Sequence, residues 1–121
     1  MQALLLLLFT SSLTLVLHSL GLAAYLYWKF WWFDIVTHAL GGFSLGLLIA
    51  FLVPKKHIFL IYGALILCII GWEIFEIVFV GIETGNMSYV IDIISDLAIG
   101  FAAAHGAIWI YHTNTTERKH R

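Results

Sequence analysis

Three apolar stretches of the sequence each carry a pair of ionisable residues three or four positions apart. The pairs are Asp34 with His38, Glu73 with Glu76, and Asp92 with Asp96. On an α-helix, residues at these spacings lie on one face. A charged side chain inside a membrane costs roughly 2.5 kcal/mol or more, so such pairs in apolar helices indicate function. We predict that the six residues form one site.

The chemistry of the six residues favours a divalent metal ion. Carboxylate oxygens are hard ligands that suit Mg, Mn, Ca or a di-iron centre, whereas structural zinc sites favour Cys and His. The sequence therefore predicts one or two ions, with Mg, Mn, Fe, Zn and Ca all left open. The apolar stretches contain no Lys or Arg to balance the carboxylates. Either bound cations or protonated carboxyl groups must remove that negative charge.

The composition places these stretches in a membrane. Of the 121 residues, 62% are hydrophobic and only 11% are charged, and the mean hydropathy is +0.99. A soluble domain carries about a quarter of charged residues, so we predict an integral membrane protein with a single small domain. The net charge of −1 gives no information about nucleic acid, but no basic run is long enough to suggest it as a partner, so we expect none. Cys68 is the only cysteine and cannot form an internal disulfide.

Four segments are long enough to span a bilayer, which requires ~20 mostly apolar residues. They are predicted at residues 3–28, 33–53, 58–80 and 89–111. The fold class is therefore all-α: a four-transmembrane-helix bundle over residues 1–112, followed by a short polar tail over residues 113–121. The first segment lacks a basic start and is longer than a signal peptide's apolar region, so we expect a retained helix. The spacing of Gly42 and Gly46 indicates close helix packing.

The basic residues predict the orientation of the bundle. With four spans, one side of the membrane carries Lys55, Lys56, Arg118, Lys119 and Arg121. Only Lys29 lies on the other side. Because positive charge accumulates on the cytoplasmic side, we expect both termini in the cytoplasm and a multi-pass protein of the cell (inner) membrane.

This orientation puts all three pairs at one depth. Each pair lies about one and two helical turns from the outer surface, at 1.5 Å per residue. The first helix adds a polar stripe of Ser11, Thr14 and His18. His18 is an additional candidate ligand; alternatively, a neighbouring hydroxyl or carbonyl satisfies its ring. The acids could also serve only to hydrogen-bond the helices together.

The polar motifs resemble those of a known group of small membrane proteins. The resembling stretches are Phe33-Asp34-x-x-x-His38 with Gly41-Gly42, Trp72-Glu73-x-x-Glu76, and Asp92-x-x-x-Asp96-x-x-x-Gly100. They cover about residues 33–103 and are similar to the YjdF-like family of bacterial and archaeal proteins, and more distantly to VanZ-like proteins. The resemblance implies a shared site but no particular reaction.

Several functions fit such a site. The leading hypothesis is a metal-dependent membrane hydrolase of lipid or lipid-linked substrates, in which paired metals activate water. Glu73, Glu76 and Asp92 are then candidates for the catalytic base. A di-iron oxidoreductase is less favoured, because its typical motif is Glu-x-x-His, whereas this chain has Glu-x-x-Glu. A non-enzymatic cation-binding or proton-binding protein also stays open, as does an accessory subunit, a homo-oligomer or a component of a larger membrane complex.

Overall fold

The computed structural model of the protein describes residues 2–79 and 87–117, and these ranges contain helices and turns but no strand. The helices are α1 (Gln2–Ala23), α2 (Leu26–Lys29), α3 (Trp31–Leu52), α4 (Ile58–Phe79) and α5 (Met87–Glu117). All except α2 are long and apolar enough to cross a membrane. The prediction of an all-α bundle with four spans is confirmed.

The first span ends earlier than the sequence indicates. Helix α1 ends at Ala23 rather than near Trp28, because Tyr25 adopts a left-handed conformation with φ of 55° and ψ of 37°. The break folds the ring of Tyr27 back over α1 at Gly21. A Cβ atom on Gly21 would lie 2.5 Å from the Tyr27 ring and 2.6 Å from the Phe33 ring. The missing side chain thus lets both rings pack on α1.

Helix α3 follows the sequence closely, whereas α5 continues past its predicted end. Helix α3 ends before Pro54, where Val53 is extended with φ of −109° and ψ of 120°, as the residue before a proline prefers to be. Helix α5 begins at Met87 and continues to Glu117, into the predicted polar tail. The predicted end of the third span at residue 80, most of the following loop, and residues 118–121 lie outside the described residues.

Helices α3 and α5 form the tightest pair in the bundle. The Cα hydrogen of Gly42 faces the backbone of Gly100, and Gly46 faces the backbone of Ala104 in the same way. A Cβ atom on either glycine would overlap the carbonyl oxygen of its partner. The predicted close packing at Gly42 and Gly46 is therefore a backbone-to-backbone contact, which we call the α3–α5 seam.

An apolar core supports the seam at the end of the bundle where α3 ends and α4 begins. Its buried members come from three helices: Ile49, Ala50, Ile61, Leu65, Ala104 and Ile108. Helix α1 joins through Leu7, which packs with Leu47 and Ala107. Helix α1 packs mainly on α3, while α4 packs on α3 and α5. The two helices α1 and α4 thus flank the seam from different sides.

Candidate metal centre

His38 lies at the centre of the polar site. Its Nε2 atom is 3.4 Å from a carboxylate oxygen of Asp34, 3.8 Å from one of Glu76 and 3.9 Å from one of Asp96. Its Nδ1 atom is 3.8 Å from an oxygen of Glu73. Four carboxylates from α3, α4 and α5 therefore surround one imidazole.

The three distances at Nε2 suit ligands of one shared ion, whereas Glu73 lies on the Nδ1 side of the ring, and the two ring nitrogens cannot bind the same ion. Ordinary N–H···O hydrogen bonds measure about 2.7–3.2 Å between heavy atoms, so the imidazole–carboxylate separations are longer than hydrogen bonds. Two ligand atoms that each lie ~2.1 Å from one cation are at most ~4.2 Å apart. The separations at His38 fall between the two limits.

Among residues 2–79 and 87–117, the potential ligands fall into two groups that share His38. The first consists of Asp34, His38 and Asp96, and the second of His38, Glu73 and Glu76. Within each group, one ligand atom per residue can be chosen so that all lie within 4.8 Å of one another. The first group comes entirely from the two helices of the seam, α3 and α5. The second group adds both of its carboxylates from α4.

The side chains of the cluster differ in exposure, so the cluster has a closed side and a more open side. The side chains of Glu73 and Asp96 are only 9% and 7% exposed, as is that of His38 at 9%. Those of Asp34 and Glu76 are 28% and 20% exposed. A carboxylate is costly to bury without a partner, so the closed side is where a cation would stabilise the bundle most.

Asp92 is the one residue of the six that belongs to neither group. It precedes Asp96 by one turn of α5 and is exposed. Ser95, between the two aspartates, donates its hydroxyl hydrogen to the carbonyl of Ile91 and stays outside the cluster. Helical spacing alone gave Asp92 the same face as Asp96, but only Asp96 is deep enough to reach His38.

The structure gives His18 a partner outside the cluster. Its Nδ1 atom lies 2.7 Å from the hydroxyl oxygen of Tyr27, and its ring meets the edge of Trp72, with 5.6 Å between ring centroids. This matches the expectation that a hydroxyl satisfies His18. Tyr27 lies in α2, between the spans, and burial raises the pKa of its phenol.

Tyr27 and Trp72 are the two site residues that the sequence analysis missed. Neither was given a role: Tyr27 lies within the first predicted span, and Trp72 appears only in the motif Trp72-Glu73-x-x-Glu76. The signal for Tyr27 was weak, because its position depends on the left-handed conformation of Tyr25 in the preceding turn. The presence of a tyrosine in the sequence does not predict that conformation. Together with His18, Tyr27 and Trp72 link α1, α2 and α4 beside the cluster.

A cavity of about 430 Å³ adjoins the cluster. Residues from α1 to α5 line it: Ser11, Thr14, Leu15, His18, Tyr27, Thr37, His38, Gly41, Gly42, Leu45, Cys68, Ile69, Trp72, Glu73, Glu76, Asp96 and Gly100. A volume of this size lies within the ~300–1,000 Å³ of small-molecule sites. The cluster therefore faces a space that can admit a ligand.

No family model, curated protein or solved structure matches the chain. The geometry of the site itself therefore carries the functional argument.

Proposed function

We propose that this protein is a metal-dependent membrane hydrolase that binds one or two divalent ions among Asp34, His38, Glu73, Glu76 and Asp96 and acts on a lipid or lipid-linked substrate. The observation that carries the proposal is the position of His38, within 3.4–3.9 Å of carboxylates from three helices. Four carboxylates around one ring leave an excess of negative charge in an apolar bundle. A divalent ion is the simplest group that balances it.

The buried residues of the cluster are suited to holding the ion. Glu73 and Asp96 face His38 from opposite helices, and the backbone contact of the seam fixes the relative position of α3 and α5. A rigid frame holds the ligands in place before the ion binds, so no conformational entropy is lost in ordering them when it binds. A bound divalent ion supplies Lewis acidity toward a phosphoryl or carbonyl oxygen and activates water.

Glu76 is the best placed of the three candidate bases. It belongs to the cluster and is partly exposed, so its carboxylate can both approach the reacting water and pass the proton on. The side chain of Glu73 is almost fully buried. A buried carboxylate is better suited to bind the metal than to exchange a proton with water. Asp92 lies outside both groups of potential ligands, and we assign it no catalytic part.

One further function has an observation in its favour. All four imidazole–carboxylate distances are also within the 4 Å range of ion pairs. A protonated His38 would then balance part of the charge without any metal, and the cluster would bind or transfer protons. Metal analysis separates this function from the hydrolase.

The decisive experiment is elemental analysis of the protein purified in detergent, followed by titration with Mg, Mn, Fe, Zn and Ca. We expect one or two equivalents of a divalent ion in the wild type. Asp96→Asn, which disrupts the group formed with Asp34 and His38, should weaken metal binding more than about a hundredfold, because even residues that only support metal ligands cost 10–100-fold when changed. Hydrolysis of phosphate and carboxylate esters of lipids should fall with it.

Asp92→Asn is the matched control, since it removes one negative charge from an exposed carboxylate outside both groups. Its metal content should equal that of the wild type. Equal losses in the two variants would show that net charge, rather than ligand geometry, attracts the ion. A wild type that binds none of the five metals would contradict the metal centre and leave the proton-binding function.

A further inference from the structure

The residues that line the cavity beside the cluster change from polar to mainly apolar along its length. At the end of the bundle where α3 begins, which we call the site end, it is lined by His38, Glu73 and Glu76. Farther along it is lined mainly by Leu15, Leu45 and Ile69, together with Ser11 and with Thr14, whose hydroxyl donates its hydrogen to the carbonyl of Thr10. The polar part thus lies near one membrane surface, and the apolar part extends toward the middle of the membrane.

The length of the apolar part suits a hydrocarbon chain. Cys68, at its far end, lies at the middle of the 22-residue helix α4. About eight residue steps separate it from Glu76, which is ~12 Å at 1.5 Å per residue and matches an extended chain of on the order of ten carbons. A lipid in the leaflet at the site end would have the same orientation: its head at the cluster and its chain toward the midplane.

The cavity opens sideways, between α1 and α4. Leu15 on α1 is 68% exposed although it lines the cavity, and Cys68 on α4 is exposed as well. The lining residues on α3 and α5 at the rear, such as Gly42 and Gly100, are buried. In a membrane, the exposed faces of α1 and α4 meet lipid, so the mouth of the cavity lies among the lipid chains.

The His18–Trp72 contact closes the cavity above this mouth. It joins α1 to α4 through ring edges, and Tyr27 fixes the imidazole by its hydrogen bond. A hydrocarbon chain that arrives from water must pass either these three side chains or the charged residues at the partly exposed side of the cluster, whereas a chain already in the membrane can slide in below them. The geometry therefore favours entry from the bilayer.

We propose that the cavity binds the chain of a single-chain alkyl or prenyl phosphate, which enters from the membrane between α1 and α4 and places its phosphate at the metal centre. This substrate class rests on the proposed hydrolase function. The cluster offers no serine or cysteine nucleophile, so water attacks phosphorus directly. The new bond forms between the water oxygen and phosphorus, and the bond from phosphorus to the chain oxygen breaks.

The protons balance through the cluster. The attacking water transfers a proton to the carboxylate of Glu76. Glu76 then gives this proton to the departing chain oxygen, which leaves as an alcohol, so the carboxylate returns to its starting state. The products are a membrane-bound alcohol and inorganic phosphate. The alcohol can leave by the same sideways opening, and the phosphate by the partly exposed side of the cluster at Asp34 and Glu76.

Substitutions at the mouth test the binding of the chain. We expect Leu15→Trp and Cys68→Trp to lower kcat/KM for dodecyl phosphate on the order of a hundredfold, because an indole there would displace the chain by an ångström or more. The loss should be much smaller for butyl phosphate, which does not extend to the mouth. Val16→Trp and Leu67→Trp are matched controls, since both residues are exposed neighbours that do not line the cavity.

A second measurement needs no turnover. Cys68 is the only cysteine, so modification by N-ethylmaleimide in lipid nanodiscs reports directly on the mouth. Dodecyl phosphate at about ten times its dissociation constant should slow this modification about tenfold. A cysteine moved to position 67, in a protein carrying Leu67→Cys and Cys68→Ser, should react at an unchanged rate.

The two measurements separate the failure of the chain site from that of the hydrolase. The chain site would be overturned, and the metal hydrolase kept, by the following result. The protein hydrolyses dodecyl phosphate, but this compound does not protect Cys68 from modification, and Leu15→Trp lowers kcat/KM no more than Val16→Trp does. Protection of Cys68 without bound metal or turnover would support the chain site and overturn the hydrolase. Equal protection at positions 67 and 68 would overturn the chain site, because it would reflect general partitioning into the nanodisc.

Discussion

The α3–α5 seam and the flanking helices α1 and α4 differ in how closely they pack. Along the α3–α5 seam, glycines bring two backbones into contact, and the structure leaves no room for even one additional methyl group at Gly42 or Gly46. Between α1 and α4, the helices stand apart, and a cavity of about 430 Å³ occupies the space. One part of the molecule is rigid and filled, and the other is open.

The candidate metal site lies where the two parts meet. The group of Asp34, His38 and Asp96 belongs wholly to the seam, while Glu73 and Glu76 extend to it from the flanking helix α4. Backbone contact fixes the first group, since van der Waals packing and not the hydrophobic effect holds helices together in lipid. In the function that we propose, the rigid part therefore holds the metal ligands and the open part admits the substrate.

The strongest test of the rigid part is Gly46→Leu, in which the side chain would overlap the backbone of Ala104. Overpacking of this kind typically costs 1–3 kcal/mol, and a backbone that cannot yield should bring the loss to about 3 kcal/mol or more. Thermal unfolding in detergent measures it. Gly63→Leu is the control, because nothing lies within 4 Å of a Cβ there. Equal melting temperatures for both variants would contradict the seam.

The next test compares a ligand on the seam with one on the flank. His38→Ala removes the residue shared by both groups and should abolish metal binding, a loss of more than about a hundredfold in affinity. Glu76→Gln leaves the group of Asp34, His38 and Asp96 intact, so it should retain at least one equivalent of metal. Calorimetric titration gives the metal affinity and the number of bound equivalents for each variant. Complete loss of metal in Glu76→Gln would show that the flank, and not the seam, holds the ion.

The smallest expected effect concerns the attachment of α1 at the open part. Tyr27→Phe removes the hydroxyl that lies 2.7 Å from the His18 ring, and loss of one such hydrogen bond costs about 0.5–1.5 kcal/mol. Thermal unfolding should show this decrease while metal content stays at the wild-type level. Tyr25→Phe, at a 64% exposed tyrosine, should change neither. A loss of metal in Tyr27→Phe would mean that Tyr27 belongs to the metal site itself.

Much of the fold could be predicted because it depends on local features of the chain. Length and hydropathy set the four spans, and Pro54 set the end of α3. The early end of α1 could not be predicted, because it depends on Tyr27 and Phe33 packing over Gly21 from a later part of the chain. A left-handed Tyr25 has no local signal and exists because those tertiary contacts stabilise it.

The sequence by itself predicted that Asp34, His38, Glu73, Glu76, Asp92 and Asp96 would face one another, since helical spacing and alternating helix direction place them on inner faces at one depth. Only the tertiary structure decided that His38 is their centre, that Asp92 stays outside, and that His18 bonds to Tyr27 instead. Periodicity assigns a side chain to a face of a helix. Its distance from other helices depends on how closely they pack, which here is set by backbone contact at the α3–α5 seam.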